Sequence, residues 1–297
     1  MKQDRLIHGQ LADYPVRFFC VNSTETVEEF RRIHQASPTA AAAGGRLVTA
    51  AILMGAMMKN ERDRLTLIIK GEGPVSQIVV TAGNNGQVKG DILNPDIEVL
   101  INAAGKLDVA AAVGAGTLTV IKDTGYSEPH NSTVRLVSGE IAEDIAYYYA
   151  LSEQIPTVCA LGVFVDEEGV VRRAGGYILQ VMPNCPEEMV VYLEQKTEKM
   201  SAITTLLKEN SNPQSVIAAL FDEGGFAYEI NRTLQPQYVC DCSRERVESM
   251  LSALDTKELS EIMQEQTNVE VKCHFCNQTY LFDVKSIQEM IKNRQKG

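Results

Sequence analysis

Tryptophan is absent from the 297 residues, and that absence excludes little. The other absences exclude more. No apolar run follows the opening Met-Lys-Gln-Asp-Arg-Leu-Ile-His, so a secretory signal is not expected. No Gly-x-x-x-x-Gly-Lys-Ser/Thr loop occurs, which leaves nucleotide-driven work without an engine. Positive charge is scarce: 28 Lys and Arg stand against 39 Asp and Glu, a formal net charge of −11. Such a surface repels phosphate backbones, and nucleic acid is not expected as a partner. Acidic or basic tails, internal repeats and low-complexity tracts are missing as well. One long apolar run is present, residues 38–58. It is alanine-rich, holds Gly44, Gly45 and Gly55, and carries Arg46 inside it. That composition suits a buried core helix better than a membrane span. The expected setting is cytoplasmic, with no membrane partner.

Cysteine is present and unevenly placed: Cys20, Cys159, Cys185, Cys240, Cys242, Cys273 and Cys276. An odd number without a secretion signal argues against a disulfide scaffold and for metal binding or thiol chemistry. The first three stand alone in apolar or loop contexts and read as buried or incidental thiols. The last four form Cys-Asp-Cys at 240–242 and Cys-His-Phe-Cys at 273–276, with 30 residues between them. Two close pairs supply the four soft, tetrahedral ligands that zinc takes, with metal–sulfur distances of about 2.3 Å. Cys240, Cys242, Cys273 and Cys276 are therefore the expected ligands of one Zn2+ per chain. His274 lies between two of them and is the competing donor, although side chains inside such a knuckle tend to point away. Four sulfurs close the coordination sphere and leave no position for a reactive water, so no enzymatic role is expected. Structural zinc contributes on the order of 10–16 kcal/mol to small folds, so its loss should unfold the surrounding module. Oxidation of the thiolates would remove the metal. Each pair is near enough in sequence for a local disulfide, though the Cys-x-Cys ring is tight. The spacing thus permits a chemical switch and equally permits a purely structural ribbon.

The chain divides into three regions of different texture. Residues 1–178 read as one α+β domain. Strands are expected within 6–20, and a helix near 28–34 follows possible caps at Asn22, Ser23 and Thr24. Ser37-Pro38 starts a second helix that is apolar on nearly every side and belongs in the core. Strands are expected near 65–70, 77–81, 87–93, 117–122, 133–138, 160–165 and 176–182, with a helix over 141–154. Residues 179–234 read as a helical linker arm. Met189, Leu193, Met200, Ile203 and Leu207 fall on one stripe and predict an amphipathic helix of about six turns. Asn212-Pro213 starts a shorter helix, and Gly224-Gly225 ends it. This arm is too apolar to be a free linker and too thin to own a core, so it must pack on something else. Residues 235–297 read as a small C-terminal metal-binding module. It should contain a helix near 244–254, a helix capped by Asp255 and Glu258, a hairpin around Cys273 and Cys276, and a last helix.

Several stretches resemble one known family over nearly the full length. They include Ser37-Pro38-Thr39 with Gly45-Arg46, Gly71-Glu72-Gly73-Pro74, Gly116-Thr117-Leu118-Thr119-Val120 with Lys122-Asp123, and Ser138-Gly139-Glu140 through Ser152-Glu153-Gln154-Ile155-Pro156. Ala174-Gly175-Gly176-Tyr177 with Gln180, Met182 and Pro183, and Cys242-Ser243-Arg244-Glu245-Arg246, continue the match. The chain resembles the bacterial redox-regulated heat-shock holdase chaperones named for a mass of thirty-three kilodaltons. It departs from their pattern at Gly44, where leucine is usual, and at Pro129-His130-Asn131-Ser132. The resemblance implies an ATP-independent holdase for unfolded or misfolded client proteins, acting under oxidative stress. It implies an inactive form that is reduced and zinc-bound. Oxidation would then form redox-active disulfides, Cys240 with Cys242 and Cys273 with Cys276, release zinc, unfold the linker and favour a homodimer. Two other classes fit less well. Residues 240–297 hold eight Lys and Arg against ten Asp and Glu, which speaks against a nucleic-acid-binding ribbon. A thiol oxidoreductase would place Cys-x-x-Cys at a helix start in a βαβ unit, whereas here it sits between strands.

Overall fold

A computed structural model describes residues 4–126, 128–254 and 268–283. The chain falls into two units, Met1–Val239 and Cys240–Gly297, each described by itself.

The first unit opens with the antiparallel strands β1 (Arg5–Leu11) and β2 (Val16–Asn22). Asn22 Oδ1 accepts from the Thr24 backbone N–H (3.2 Å) where α1 (Thr24–His34) begins. The buried Asp4 carboxylate takes the Glu25 and Thr26 N–H groups at 3.0 and 2.7 Å, so it satisfies donors that a helix start leaves open. α2 (Pro38–Gly55) has proline in its first turn and sixteen buried residues out of eighteen. A Cβ at Gly44 would run into the Phe30 ring, which explains why this position is not a leucine here. β3 (Arg64–Gly71), β4 (Gln77–Gly83) and β5 (Gln87–Ile92) form a meander. After α3 (Val109–Val113), β6 (Gly116–Asp123) and β7 (His130–Arg135) extend it on the other side. α4 (Ala142–Tyr148) runs into a π-turn at Tyr149–Glu153. β8 (Thr157–Val165) and β9 (Val171–Val181) then return to β2.

The loop before α4 is built around another buried carboxylate. Asp144 gathers the N–H groups of Val137, Ser138 and Ile141 at 2.7, 3.1 and 2.9 Å. Arg46 crosses from α2 to pair with Glu140 in the same loop. Glu153, at the end of the π-turn, receives both Lys122 Nζ (2.6 Å) and the buried Tyr148 hydroxyl (2.5 Å). These bonds account for the charged residues of the Ser138-Gly139-Glu140 and Ser152-Glu153-Gln154 stretches.

With β10 (Tyr228–Leu234) and β11 (Gln237–Tyr238) from the end of this unit, two sheets result, in the orders β10-β1-β2-β9-β8 and β11-β5-β4-β3-β6-β7. α2 packs against strands of both, which is why it is apolar all round. Strand alternation divides the first sheet between two cores. Phe19 and Val21 face the α2 side, whereas Phe18 and Cys20 face the opposite core with the arm.

The arm consists of α5 (Glu187–Lys199), α6 (Ile203–Glu209) and α7 (Pro213–Phe221). The expected six-turn helix is therefore two helices. Met200 and Ala202 are extended, with ψ of 143° and 141°, although residues 200–202 hold neither glycine nor proline. Tertiary packing overrides the helical stripe. Met189 and Leu193 of α5 and Val216, Ile217, Leu220 and Phe221 of α7 join the core over β1 and β2. α6 lies instead on β8 and β9, against Gly162 and Gly175. A Cβ at Gly162 would stand 2.6 Å from Ile203 Cγ2 and 3.0 Å from Thr204 Cγ2. The arm thus packs on the face of the first sheet that α2 leaves open.

Two short elements close this unit, neither anticipated from the sequence. β10 (Tyr228–Leu234) pairs antiparallel with β1, and β11 (Gln237–Tyr238) pairs parallel with β5. The Tyr238 hydroxyl donates to Gly90 O at 2.8 Å, inside the meander.

The second unit contains α8 (Arg244–Ala253) and the hairpin of β12 (Asn268–Lys272) and β13 (Thr279–Asp283). Both match the sequence expectation. The helices expected after Asp255 and at the C-terminus lie outside the described residues. Overall the chain is a mixed α+β protein, as its sequence texture implied.

Candidate metal centre

Each sulfur is placed by a short, well-defined element. Cys240 and Cys242 occupy the extended stretch just before α8, whose first turn is capped by Ser243 Oγ accepting from the Arg246 N–H (3.3 Å). Arg246 also reaches back to the Asp241 carbonyl oxygen at 3.1 Å and pairs with the Asp241 carboxylate. One guanidinium therefore shapes the Cys-Asp-Cys loop from within. Cys273 and Cys276 lie on the turn between β12 and β13. That turn is closed by the Cys273 N–H to Gln278 O (2.9 Å) and the Asn277 N–H to Cys273 O (2.8 Å), with Asn277 at φ 59°. Asparagine is among the residues that tolerate this left-handed conformation.

The four sulfurs converge. All ligand atoms of Cys240, Cys242, Cys273 and Cys276 lie within 4.8 Å of one another. Cys240 Sγ is 3.7 Å from Cys273 Sγ, and Cys242 Sγ is 3.3 Å from Cys276 Sγ. Four thiolates held about 2.3 Å from one tetrahedral zinc would be about 3.8 Å apart, so this donor set fits the metal. A disulfide needs about 2.05 Å, and all seven cysteines are free thiols. Among the described residues His274 does not join the cluster. Cys20 is buried under the arm, and burial pushes its thiol and that of Cys159 well above the ordinary range. Cys185 is partly exposed before α5. None of these three is a member of the cluster.

Electrostatics distinguish three of the thiols. Burial pushes Cys240 upward, against a backbone N–H from Cys242 that favours its thiolate. Burial likewise pushes Cys276 up to about 11. Burial also raises Cys242, but hydrogen bonds from Tyr280 and the neighbouring thiols outweigh it and the net shift is downward. Of these three, Cys242 is the one whose thiolate its surroundings favour. The Tyr280 hydroxyl donates to Cys242 Sγ at 3.2 Å.

The apolar support is thin. Val247, Leu251, Val269 and Phe282 are the buried core of this unit among the described residues. Their burial is worth roughly 6–12 kcal/mol at about 1.5–3 kcal/mol per side chain, no more than the 10–16 kcal/mol on the order of which a structural zinc contributes. Arg244 covers Phe282 from outside, 4.4 Å from the ring centroid.

The sequence shows the four cysteines but not the groups that support them. Arg246 and Tyr280 carry no spacing signal of their own. The alternation of Tyr280 with the buried Phe282 along β13 places both on one face, and that is the cue that points Tyr280 toward the sulfurs.

Comparison with known proteins agrees with this architecture. The family model described as Hsp33 protein matches residues 4–283. A 33 kDa chaperonin of Agathobacter rectalis is 44% identical over 287 residues, 97% of this chain and 99% of that protein. The 33 kDa chaperonin of Clostridioides difficile is 44% identical over 291 residues, 98% of this chain and 99% of its own length. The crystal structure of a 33 kDa chaperonin (heat shock protein 33 homolog) from Thermotoga maritima superposes with a TM-score of 0.90 at 36% identity, covering all of both chains. With a matching fold, a four-cysteine cluster and relatives of this closeness, the chain belongs to the Hsp33 protein family of heat-shock chaperones.

Proposed function

We propose that the protein is a redox-regulated, ATP-independent holdase, not an enzyme, working in the cytoplasm on unfolding client proteins. The observation that carries this reading is the convergence of four free cysteine sulfurs within 4.8 Å, in a unit with four buried apolar residues among the described ones. Cys240, Cys242, Cys273 and Cys276 are the proposed ligands of one Zn2+. Zinc, when bound, keeps four thiolates together and joins the α8 side of the module to its hairpin.

Oxidation acts on the chain's own sulfurs. One thiolate attacks an oxygen of hydrogen peroxide; the S–O bond forms, the O–O bond breaks and hydroxide leaves. The neighbouring thiolate then attacks the sulfenic sulfur, the S–S bond forms and a second hydroxide leaves. Two sulfurs lose two electrons in total, and the peroxide becomes two waters after taking up two protons. We assign the pairs as Cys240 with Cys242 and Cys273 with Cys276. A disulfide is a poor metal ligand, so the module loses its main support.

The proposed division of labour is a core over residues 1–178, an arm over 179–234 and a switch over 235–297. Only residues 222–239, half of them in β10 and β11, lie between α7 and Cys240. Loss of the switch fold is proposed to free the arm, which exposes its apolar stripe and the sheet face beneath it to clients. Two activated chains would associate as a homodimer. Nucleotide, nucleic acid and membrane take no part in this mechanism.

The test is zinc content and suppression of client aggregation, measured on reduced and peroxide-treated protein without nucleotide. One zinc per reduced chain, lost on oxidation as suppression appears, is the expected result. Equal suppression in both states would overturn the switch. Full zinc occupancy in a Cys240→Ser, Cys273→Ser double variant would overturn the ligand assignment.

A further inference from the structure

We infer that Tyr280 is a positioning residue of the switch, whose hydroxyl holds the Cys242 sulfur and slows its attack on oxidants. The inference rests on the proposed metal centre and deepens it. Tyr280 stands on β13, opposite Val271 of β12, with the strand alternation that also buries Phe282. Its hydroxyl lies 3.2 Å from Cys242 Sγ. A tyrosine hydroxyl donates one hydrogen bond, and a ligated thiolate has only lone pairs to offer, so the bond runs from oxygen to sulfur. Cys240 and Cys276 receive backbone N–H donors, from Cys242 and Gln278. Cys242 receives a side chain, which a substitution removes without disturbing the backbone. The contact joins β13 to the Cys-Asp-Cys loop, the two halves that the cluster brings together.

The chemical consequence follows from where the charge goes. When Cys242 attacks a peroxide oxygen, a sulfur lone pair becomes the new S–O bond. The negative charge leaves sulfur for the departing oxygen as the O–O bond breaks. A donor fixed on the thiolate is therefore worth more before the attack than during it, and it raises the barrier. Ligand exchange with a chelator places no electrophile on sulfur and lacks this sensitivity.

The experiment compares full-length reduced, zinc-loaded protein with its Tyr280→Phe variant. Zinc release is timed under two drives, hydrogen peroxide alone and excess EDTA alone. We expect peroxide-driven release to be about three- to tenfold faster in the variant, the size expected for partial loss of a hydrogen bond to a charged acceptor. EDTA-driven release should change by less than about twofold, the scatter that context brings to a neutral surface change. With Co2+ in place of zinc, the sulfur-to-metal charge-transfer band should move to lower energy in the variant. Brief iodoacetamide treatment should raise the share of first label on Cys242. An unchanged peroxide rate and an unmoved band would overturn the inference. Equal acceleration under both drives would overturn it too, because that is the signature of a loosened fold. Wild-type protein that takes up neither metal would instead overturn the metal centre itself, and the cobalt spectrum reveals this before any rate is measured.

Discussion

Asp4 shows how one residue fixes both a helix and a pH response. It is buried at the first turn of α1, where its carboxylate receives two backbone N–H groups and the Thr26 hydroxyl. Burial is the largest influence and pushes its pKa from 3.8 up to about 6, against those three bonds. A raised carboxyl value means the folded chain holds a proton that the unfolded chain releases. Stability from this group is therefore full below about pH 4 and declines as pH rises through about 6. The whole swing is about 3 kcal/mol at 1.36 kcal/mol for each tenfold difference in proton affinity. Asp4→Asn should flatten the urea-unfolding midpoint between pH 4 and 7, and an unchanged pH profile would remove Asp4 from the account. At this scale the sequence was legible where chemistry is stereotyped. Four cysteines in two tight pairs announce a metal site because few other uses need that pattern. Asp4 and Asp144 were not legible, and Tyr280 only as a residue on the Phe282 face of its strand, since their work depends on partners brought close only by the fold.

The elements were mostly readable from periodicity. Alternation marked the meander strands, and Ser37-Pro38 and Asn212-Pro213 marked helix starts because proline at a first turn has no donor to lose. The break between α5 and α6 was hidden, because the apolar stripe continues across it and only the sheet beneath decides where the helix must turn. β10 alternates as a strand should, yet the paired glycines before it drew attention to an ending and not to a beginning. β11, at two residues, is too short for any periodic signal. The α6 site yields a prediction of its own. The Cβ of a residue at 162 would meet only α6 atoms at close range, so Gly162→Val should push α6 away while leaving α5 and α7 seated. A cost of about 1–3 kcal/mol is expected for such overpacking. Hydrogen exchange should then accelerate selectively over Ile203–Glu209. Unchanged protection there would mean that close approach to the glycines does not hold α6 in place.

At the scale of the whole first unit, both ends of the arm are sewn into the same sheet. β9 ends at Val181 and β10 begins at Tyr228, leaving 46 residues between them (228 − 181 − 1). In the sheet order these strands are three steps apart, about 14 Å at about 4.8 Å per step. An arm that lifts off while β9 and β10 stay paired is thus a closed loop and not a free tail. It remains a competitor for its own seat, at an effective concentration on the order of millimolar for a short flexible tether. Any client on that seat faces a rival that cannot diffuse away. Restoring the reduced state should therefore expel clients without nucleotide, because the loop has only to close again. The tether's reach matters little: adding 20 Gly/Ser residues at Gly224-Gly225 lengthens the loop from 46 to 66 and should weaken closure by only about 0.3 kcal/mol. Cutting the chain at the same place should weaken closure further, since it turns the closed loop into a tail held only at its β9 end. Client release from the lengthened and the cut proteins after re-reduction, followed by light scattering, distinguishes these outcomes. Equal release from both would show that the loop's closure is irrelevant. Under the proposed mechanism, then, client release without nucleotide would be a property of where two strands are anchored.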